Sequence, residues 1–329
     1  MADDHQSVAS GSQLTSVYLT HRPVPTALAV AVHSGVLHGA LSEVWLSVHR
    51  LDSDEPTPPD SWLRELDGFA VICAGAAGAR ARVVGITWIQ EFQALVTLPG
   101  SRIRSVRDLR NRRIALPVSP PSSRAHACRV ASLALEVGGL RPREMEWVDL
   151  TRAAANAEDG ASDAMLPGCP VEYAVVIAAL AAGKVDVAHV QGLRGLQAMR
   201  SCGAQSIFSA TDHPDRRIRA HSATPICLTV DRYAEDRTLE QANRLLECIR
   251  AVGVWARSHS REVARNLSRH LGVPENDIFH AFGAKFYQHL IPDFAESSAA
   301  ALEKLEQFVD RSSFSVERDR NVTSQGLQY

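Results

Sequence analysis

SVRDLRNRRIALPVSPPSSRAHACRVASLALEVGGL, residues 105–140, decides the fold class. A short helical segment leads into a strand at Arg113–Val118. Pro120 and Pro121 stop that strand, because proline cannot donate to a β ladder. Ser122 or Ser123 caps a helix, which Ala, Leu and Val spacing carries to the stop at Gly138 and Gly139. The same alternation continues outward. MEWVDL (145–150) reads as a strand, and VEYAVVIAALAAGKVDVAHVQ (171–191) as helix, glycine stop and strand. A helix over 192–204 and a strand at QSIFSA (205–210) follow. Upstream, FAVICAG (69–75) is an apolar run fit for a buried strand, and VVGITWIQEFQALVTLPGS (83–101) reads as two strands ended by Pro99 and Gly100. Alternating α and β units of this length predict an α/β fold with mostly parallel sheets and helices on both faces.

The polar, turn-rich stretch 211–224 suits a crossover between two lobes, after which PICLTVDRYAED resumes as a strand. A helix is expected over 238–258, with Leu245, Ile249, Val252 and Trp255 at helical spacing, and further helical stretches over 260–271, 275–289 and 296–310. The expected division is a discontinuous first lobe, 1–117 with 224–312, a second lobe, 118–223, and a C-terminal extension, 313–329, of low apolar content. Residues 152–169, rich in Ala, Asp, Gly and Pro, read as a loop.

The chain has 329 residues, 45% hydrophobic and 22% charged, with a formal net charge of −2. That balance supports two cores and gives no basic excess to drive binding to nucleic acid or a membrane. The longest apolar runs, such as Ala174–Ala182, fall far short of the roughly 20 residues of a membrane span. MADDHQSVASGSQ at the start lacks the basic, then apolar pattern of a secretory signal, so a cytoplasmic address is expected. The six cysteines are scattered without C-x-x-C spacing and read as reduced, mostly buried thiols. Cys73 is the thiol to consider as a nucleophile, although an apolar setting makes a thiol inert. No nucleotide-binding glycine motif and no persuasive zinc pattern occurs, so no cofactor and no metal are expected.

Several residues are candidates for a site. Arg22 stands before the rigid Pro23-Val24-Pro25; it is either a solvated loop arginine or a bidentate clamp for an acid. Ser122, Ser123 and Arg124 open a helix whose free N–H groups and partial positive charge can hold an anion, although one serine also serves as a simple cap. His189 and Gln191 lie at the end of one strand, Trp88 and Gln90 at the end of another. Ligands in open α/β sheets bind beyond such ends, while packing in the core is the plainer role. His21 and His189 are the acid–base candidates.

The order of elements resembles that of sulfonate-type substrate-binding proteins, with the two-lobed type II periplasmic-binding-protein fold. RPVPTALAVAVHSGVL (22–37), VVGITWIQEFQALV (83–96), VWARSHSREV (254–263) and HAFGAKFYQHLIP (280–292) are similar to the aromatic sulfinate desulfinases of that fold. The resemblance covers residues 17–310 and implies a cytoplasmic, cofactor-independent protein that cleaves a carbon–sulfur bond and releases sulfite. It also implies that Arg22 stands where the family's nucleophilic cysteine precedes Pro-Val-Pro. In SWLRELDG (61–68) it makes Arg64 the counterpart of an active-site arginine and Gly68 that of its backbone donor. The family's histidine falls near Asp54 or Glu55, where this chain has none, and His49 is the nearest. A guanidinium is no nucleophile. The expectation is therefore a desulfinase-like enzyme, hydrolase or lyase in type, acting on a small aromatic or unsaturated acid by altered chemistry. The alternative is a non-catalytic anion- or sulfonate-binding protein of the ABC-transporter type. In either case the expected partner is a small anionic or aromatic ligand.

Overall fold

A computed structural model describes residues 16–20, 22–36, 47–50, 62–76, 81–117, 121–150, 167–231, 236–293 and 296–311. His21, the N-terminal stretch, most of the 152–169 loop and the 313–329 extension lie outside the described residues.

The first lobe opens with β1 (Ser16–Leu19), which delivers Arg22 and the Pro-Val-Pro segment to α1 (Ala27–His33). Thr26 caps α1 by accepting the Ala29 N–H at 3.0 Å. Then come β2 (Ser47–Arg50), β3 (Trp62–Asp67), α2 (Gly68–Ala76) and β4 (Ala81–Ile89). The second lobe holds β5 (Gln93–Thr97), β6 (Arg113–Leu116), α3 (Pro121–Gly138), β7 (Glu146–Asp149), α4 (Ala174–Ala181), β8 (Ala188–Gln191), α5 (Gly192–Ser201), β9 (Gln205–Ser209) and α6 (Arg216–Ser222). The chain returns through β10 (Thr224–Asp231) to α7 (Asp236–Ala256), α8 (Ser260–Leu271), α9 (Glu275–Phe282) and α10 (Glu296–Arg311).

Strand order in the first sheet is β2-β1-β3-β10-β4, with β1 parallel to β2 and β3, and β10 antiparallel to β3 and β4. In the second lobe β6 pairs with β7 in parallel, β5 lies antiparallel between β8 and β9, and a bridge from Ile114 to Val187 joins the two groups. Each lobe is thus parallel except for one strand. Those two exceptions, β5 and β10, are the strands that carry the chain across from the other lobe. β5 and β6, expected in the first lobe by a boundary at 117/118, take all their strand partners from the second, so the first crossover lies at residues 90–92.

Two element types differ among the described residues: α6 lies within 211–224, read as a turn-rich crossover, and FAVICAG lies in α2, not in a strand, the strand being the less apolar WLRELD before it. A short run apolar on every side fits either a buried helix or a buried strand, and periodicity cannot separate them. Phe69, Val71 and Ile72 are buried with Leu66, Ile86, Cys227, Leu302 and Leu305, so α10 covers α2. One buried cluster runs from Val17, Leu28, Leu63, Leu228, Ile249 and Val263 of the first lobe into Val96, Val176, Leu180 and Val190 of the second; a separate cluster under α3 gathers Leu95, Ile114, Val130, Leu135, Phe208 and Ile218. No described helix is long and apolar enough to cross a membrane.

Candidate functional site

Two grooves flank the paired crossovers. The front one is a cavity of about 200 Å³ whose lining includes Arg22, Pro23 and Val24 from the first lobe and Ser122, Ser123, His126, Tyr173, His189 and Gln191 from the second. The starts of α3 and α5 both border it, the latter through Gly192, Leu193 and Arg194.

Arg22 is not a free clamp. Its Nη1 donates to Asp67 Oδ2, and its Nη2 donates to Glu91 Oε1 at 2.7 Å. Asp67 and Glu91 are almost completely buried, while the Arg22 side chain keeps 17% of its exposure. His126 Nε2 lies 2.8 Å from Asp67 Oδ2. Gln191 Nε2 donates to Glu91 Oε1 at 2.7 Å and to Thr224 Oγ1 at 3.1 Å, and sits 3.3 Å from His126 Nδ1. Burial pushes the Asp67 carboxyl up. The charges of His126 and Arg22, with hydrogen bonds from His126 and the Phe69 N–H, outweigh it and hold Asp67 well below the usual carboxylate range. The network ties Arg22 and Asp67 of the first lobe to His126 and Gln191 of the second.

Local sequence explains this convergence. Asp67 ends β3, and Glu91 sits in the short crossover between β4 and β5. His126 follows Ser122 by four residues, so both lie on one face of α3. The Tyr173 hydroxyl donates to the Gln191 carbonyl at 3.1 Å and accepts its N–H at 2.9 Å, which fixes the last residue of β8. Gly192 then turns into α5 with φ +61°, and a Cβ there would fall 2.6 Å from Glu91 Oε2. Only glycine meets both conditions without strain.

His189 lines the cavity at 5% exposure, and its Nε2 has no hydrogen-bond partner among the described residues. Burial, then the positive charges of His126 and Arg22, lower its pKa to about 3. At neutral pH it is an uncharged imidazole, able to donate to or accept from a guest but a weak base.

Arg22, Ser122, Ser123, His189 and Gln191 therefore meet in one cavity. Arg64 does not join them. It precedes Asp67 by an odd number of positions, and alternation along β3 turns its side chain to the other face of the sheet. Glu65, which shares the Asp67 face, is buried, hydrogen-bonded to Thr26 and to the Thr20 backbone, and pushed up by burial to about 7. Gly68 starts α2 without lining the cavity; a Cβ there would strike Pro225 at 2.5 Å. Arg124 turns to Asp149, its Nη1 donating to Oδ2 at 2.7 Å. Trp88 and Gln90 line the other groove. Sequence reasoning missed Asp67, Glu91, His126 and Tyr173; the helical spacing of His126 from Ser122 was the available signal. No described cysteine lines the front cavity, and burial pushes the Cys128 thiol up to about 12 and the Cys227 thiol higher than usual. No group of three or more metal-ligating side chains occurs among the described residues.

No known family profile matches the chain. It is 26% identical to 2′-hydroxybiphenyl-2-sulfinate desulfinase of Rhodococcus erythropolis, over 91% of this chain and 89% of that protein. A crystal structure of a mutant of the desulfurization enzyme DSZB in complex with biphenyl-2-sulfinic acid superposes with a TM-score of 0.66 at 22% identity, covering 90% of this chain and 92% of that one. The periplasmic aliphatic sulphonate binding protein SsuA from Escherichia coli superposes at 0.62 and 16% identity, covering 91% and 92%. The fold is of the type II periplasmic-binding-protein kind. The front cavity lies between residues of the two lobes, beside the two crossovers that link them (the hinge segments).

Proposed function

We propose that this chain binds a small organic acid, a sulfinate, sulfonate or carboxylate with at most one ring, in the front cleft, and does not cleave it through a thiol. The observation that carries the reading is buried His189, which lines the same cavity as Ser122, Ser123 and the start of α3 and whose Nε2 has no hydrogen-bond partner among the described residues. A buried polar atom costs free energy until it finds a partner, so a ligand oxygen at that point is favoured. The first turn of α3 and the serine hydroxyls supply further donors for an acid. Arg22 contributes by holding the carboxylates in place, since its own charge is spent on Asp67 and Glu91. The size limit follows from volume: a 150 Å³ apolar cavity accommodates benzene, so about 200 Å³ leaves room for one ring and a substituent.

Calorimetric titration with benzenesulfinate, benzoate and biphenyl-2-sulfinate tests this reading. The two single-ring acids should bind, the two-ring acid should bind at least tenfold more weakly, and His189→Leu should weaken the single-ring acids about tenfold. Equal or tighter binding of biphenyl-2-sulfinate, or an unchanged affinity in His189→Leu, overturns it.

One observation favours a second, catalytic reading. The Asp67–His126 pair has the geometry of a carboxylate orienting an imidazole. Its other ring nitrogen faces Gln191, so turnover needs the glutamine amide to move aside. Incubation with benzenesulfinate and assay of sulfite separates the two: release that survives alkylation of every thiol supports catalysis by altered chemistry, and its absence supports binding alone.

A further inference from the structure

The back groove is larger, about 620 Å³, and its lining carries a net positive charge, whereas the arginines and glutamates lining the front cavity balance. Arg216 and Arg219 reach it from α6 of the second lobe, Lys285 and His289 from the segment after α9 in the first, and Asp212 is the only carboxylate among the described residues that line it. Three fixed cations thus face one acid. The side chains of Arg216, Lys285 and His289 make no hydrogen bond or ion pair among the described residues. Arg219 is held in place: its Nη1 donates to the His213 carbonyl and, at 3.0 Å, to that of Pro214, and its own carbonyl accepts from Gln90 Nε2 at 3.1 Å. Half-buried Trp88, with Pro25, Phe282 and Phe286, makes much of the remaining wall apolar.

We propose that this groove is a second ligand site, for a small organic polyanion with a flat apolar body, bound across the hinge. Unpaired cations beside a low-dielectric wall concentrate field and attract multiply charged anions more than singly charged ones. Contacts to guanidinium and ammonium groups from both lobes give such a ligand a grip that neither lobe offers alone, and Trp88 gives it a face to lie against. A volume within the few-hundred to thousand Å³ range of small-molecule sites accommodates it. The inference is independent of the front-cleft reading, since the two grooves share no lining residue.

Titration of the full chain with benzene-1,3,5-tricarboxylate and with inorganic pyrophosphate, at low and at physiological salt, tests it. The tricarboxylate should saturate one site, bind more tightly than pyrophosphate because of its ring, and weaken as salt rises. Arg216→Ala/Lys285→Ala should reduce its affinity tenfold or more, while Ser122→Ala/Ser123→Ala should leave it unchanged. Trp88→Phe should remove the fluorescence change that accompanies binding. Absence of saturable binding overturns the proposal. So does binding that survives the Arg216/Lys285 double variant, or that is lost in the Ser122/Ser123 variant.

Discussion

The grooves on either side of the hinge both contain arginine, yet only one keeps it available. In front, Arg22 is locked between Asp67 and Glu91, with Gln191 and His126 completing the set. At the back, Arg216 and Lys285 are exposed and face a single carboxylate. An arginine near a cleft thus says little about anion binding until its partners are counted. A charge spent on buried carboxylates maintains structure; an unspent one is open to a ligand.

The largest effect that could break this contrast is at Arg22. Arg22→Ala strands two carboxylates that are 0% and 1% exposed. Removing one partner of such a buried set costs about 3–5 kcal/mol. Chemical denaturation should therefore show a marked loss of stability, not merely a loss of ligand. A change under 1 kcal/mol would mean that the network contributes little and that the guanidinium is free after all.

A mid-sized effect is expected at Glu65. Its folded-state pKa of about 7 lies above the ordinary 4.5, so the folded chain holds the extra proton between those values. Stability contributed by the protonated form is present below pH 4.5 and is lost as pH rises to 7. The window of that size corresponds to at most about 3 kcal/mol. Glu65→Gln should accordingly raise stability at pH 8 by about 1–3 kcal/mol and change little at pH 4. His189 slopes the other way: its lowered pKa costs stability as pH falls below 6.5, towards about 3. A pH-independent effect of Glu65→Gln would remove the buried charge as its cause.

The smallest effect belongs to the back groove. Arg216→Ala/Lys285→Ala should shift stability by no more than about 0.5 kcal/mol, as for surface positions without partners. A loss above 1 kcal/mol in thermal or urea unfolding would show these cations to be structural, like Arg22, and erase the contrast.

Most of the fold was legible in the sequence, because long helices and the strands at 113–118, 145–150 and 185–191 carry period and punctuation. The site was legible where it follows strand ends and helix starts: His189, Gln191, Ser122 and Ser123 came from those rules. It was illegible where a single position decides. Arg64 and Glu65 are neighbours on opposite faces of β3, and nothing local says which faces the cleft. Trp88 and Gln90 do end a strand, but that strand feeds a crossover, and its end opens to the rear. Asp67 hid because WLRELD has too few apolar residues to advertise a strand. Glu91 hid because the link at residues 90–92 is too short to show a pattern.

The interlobe ion network also resists separation of the two lobes. Any outward swing of one half against the other must pull the Asp67 carboxylate from the His126 ring and Gln191 from Glu91, exposing charges that had been dry. Separating the two halves therefore costs more than parting an unlinked pair of lobes, because it uncovers carboxylates that are 0% and 1% exposed.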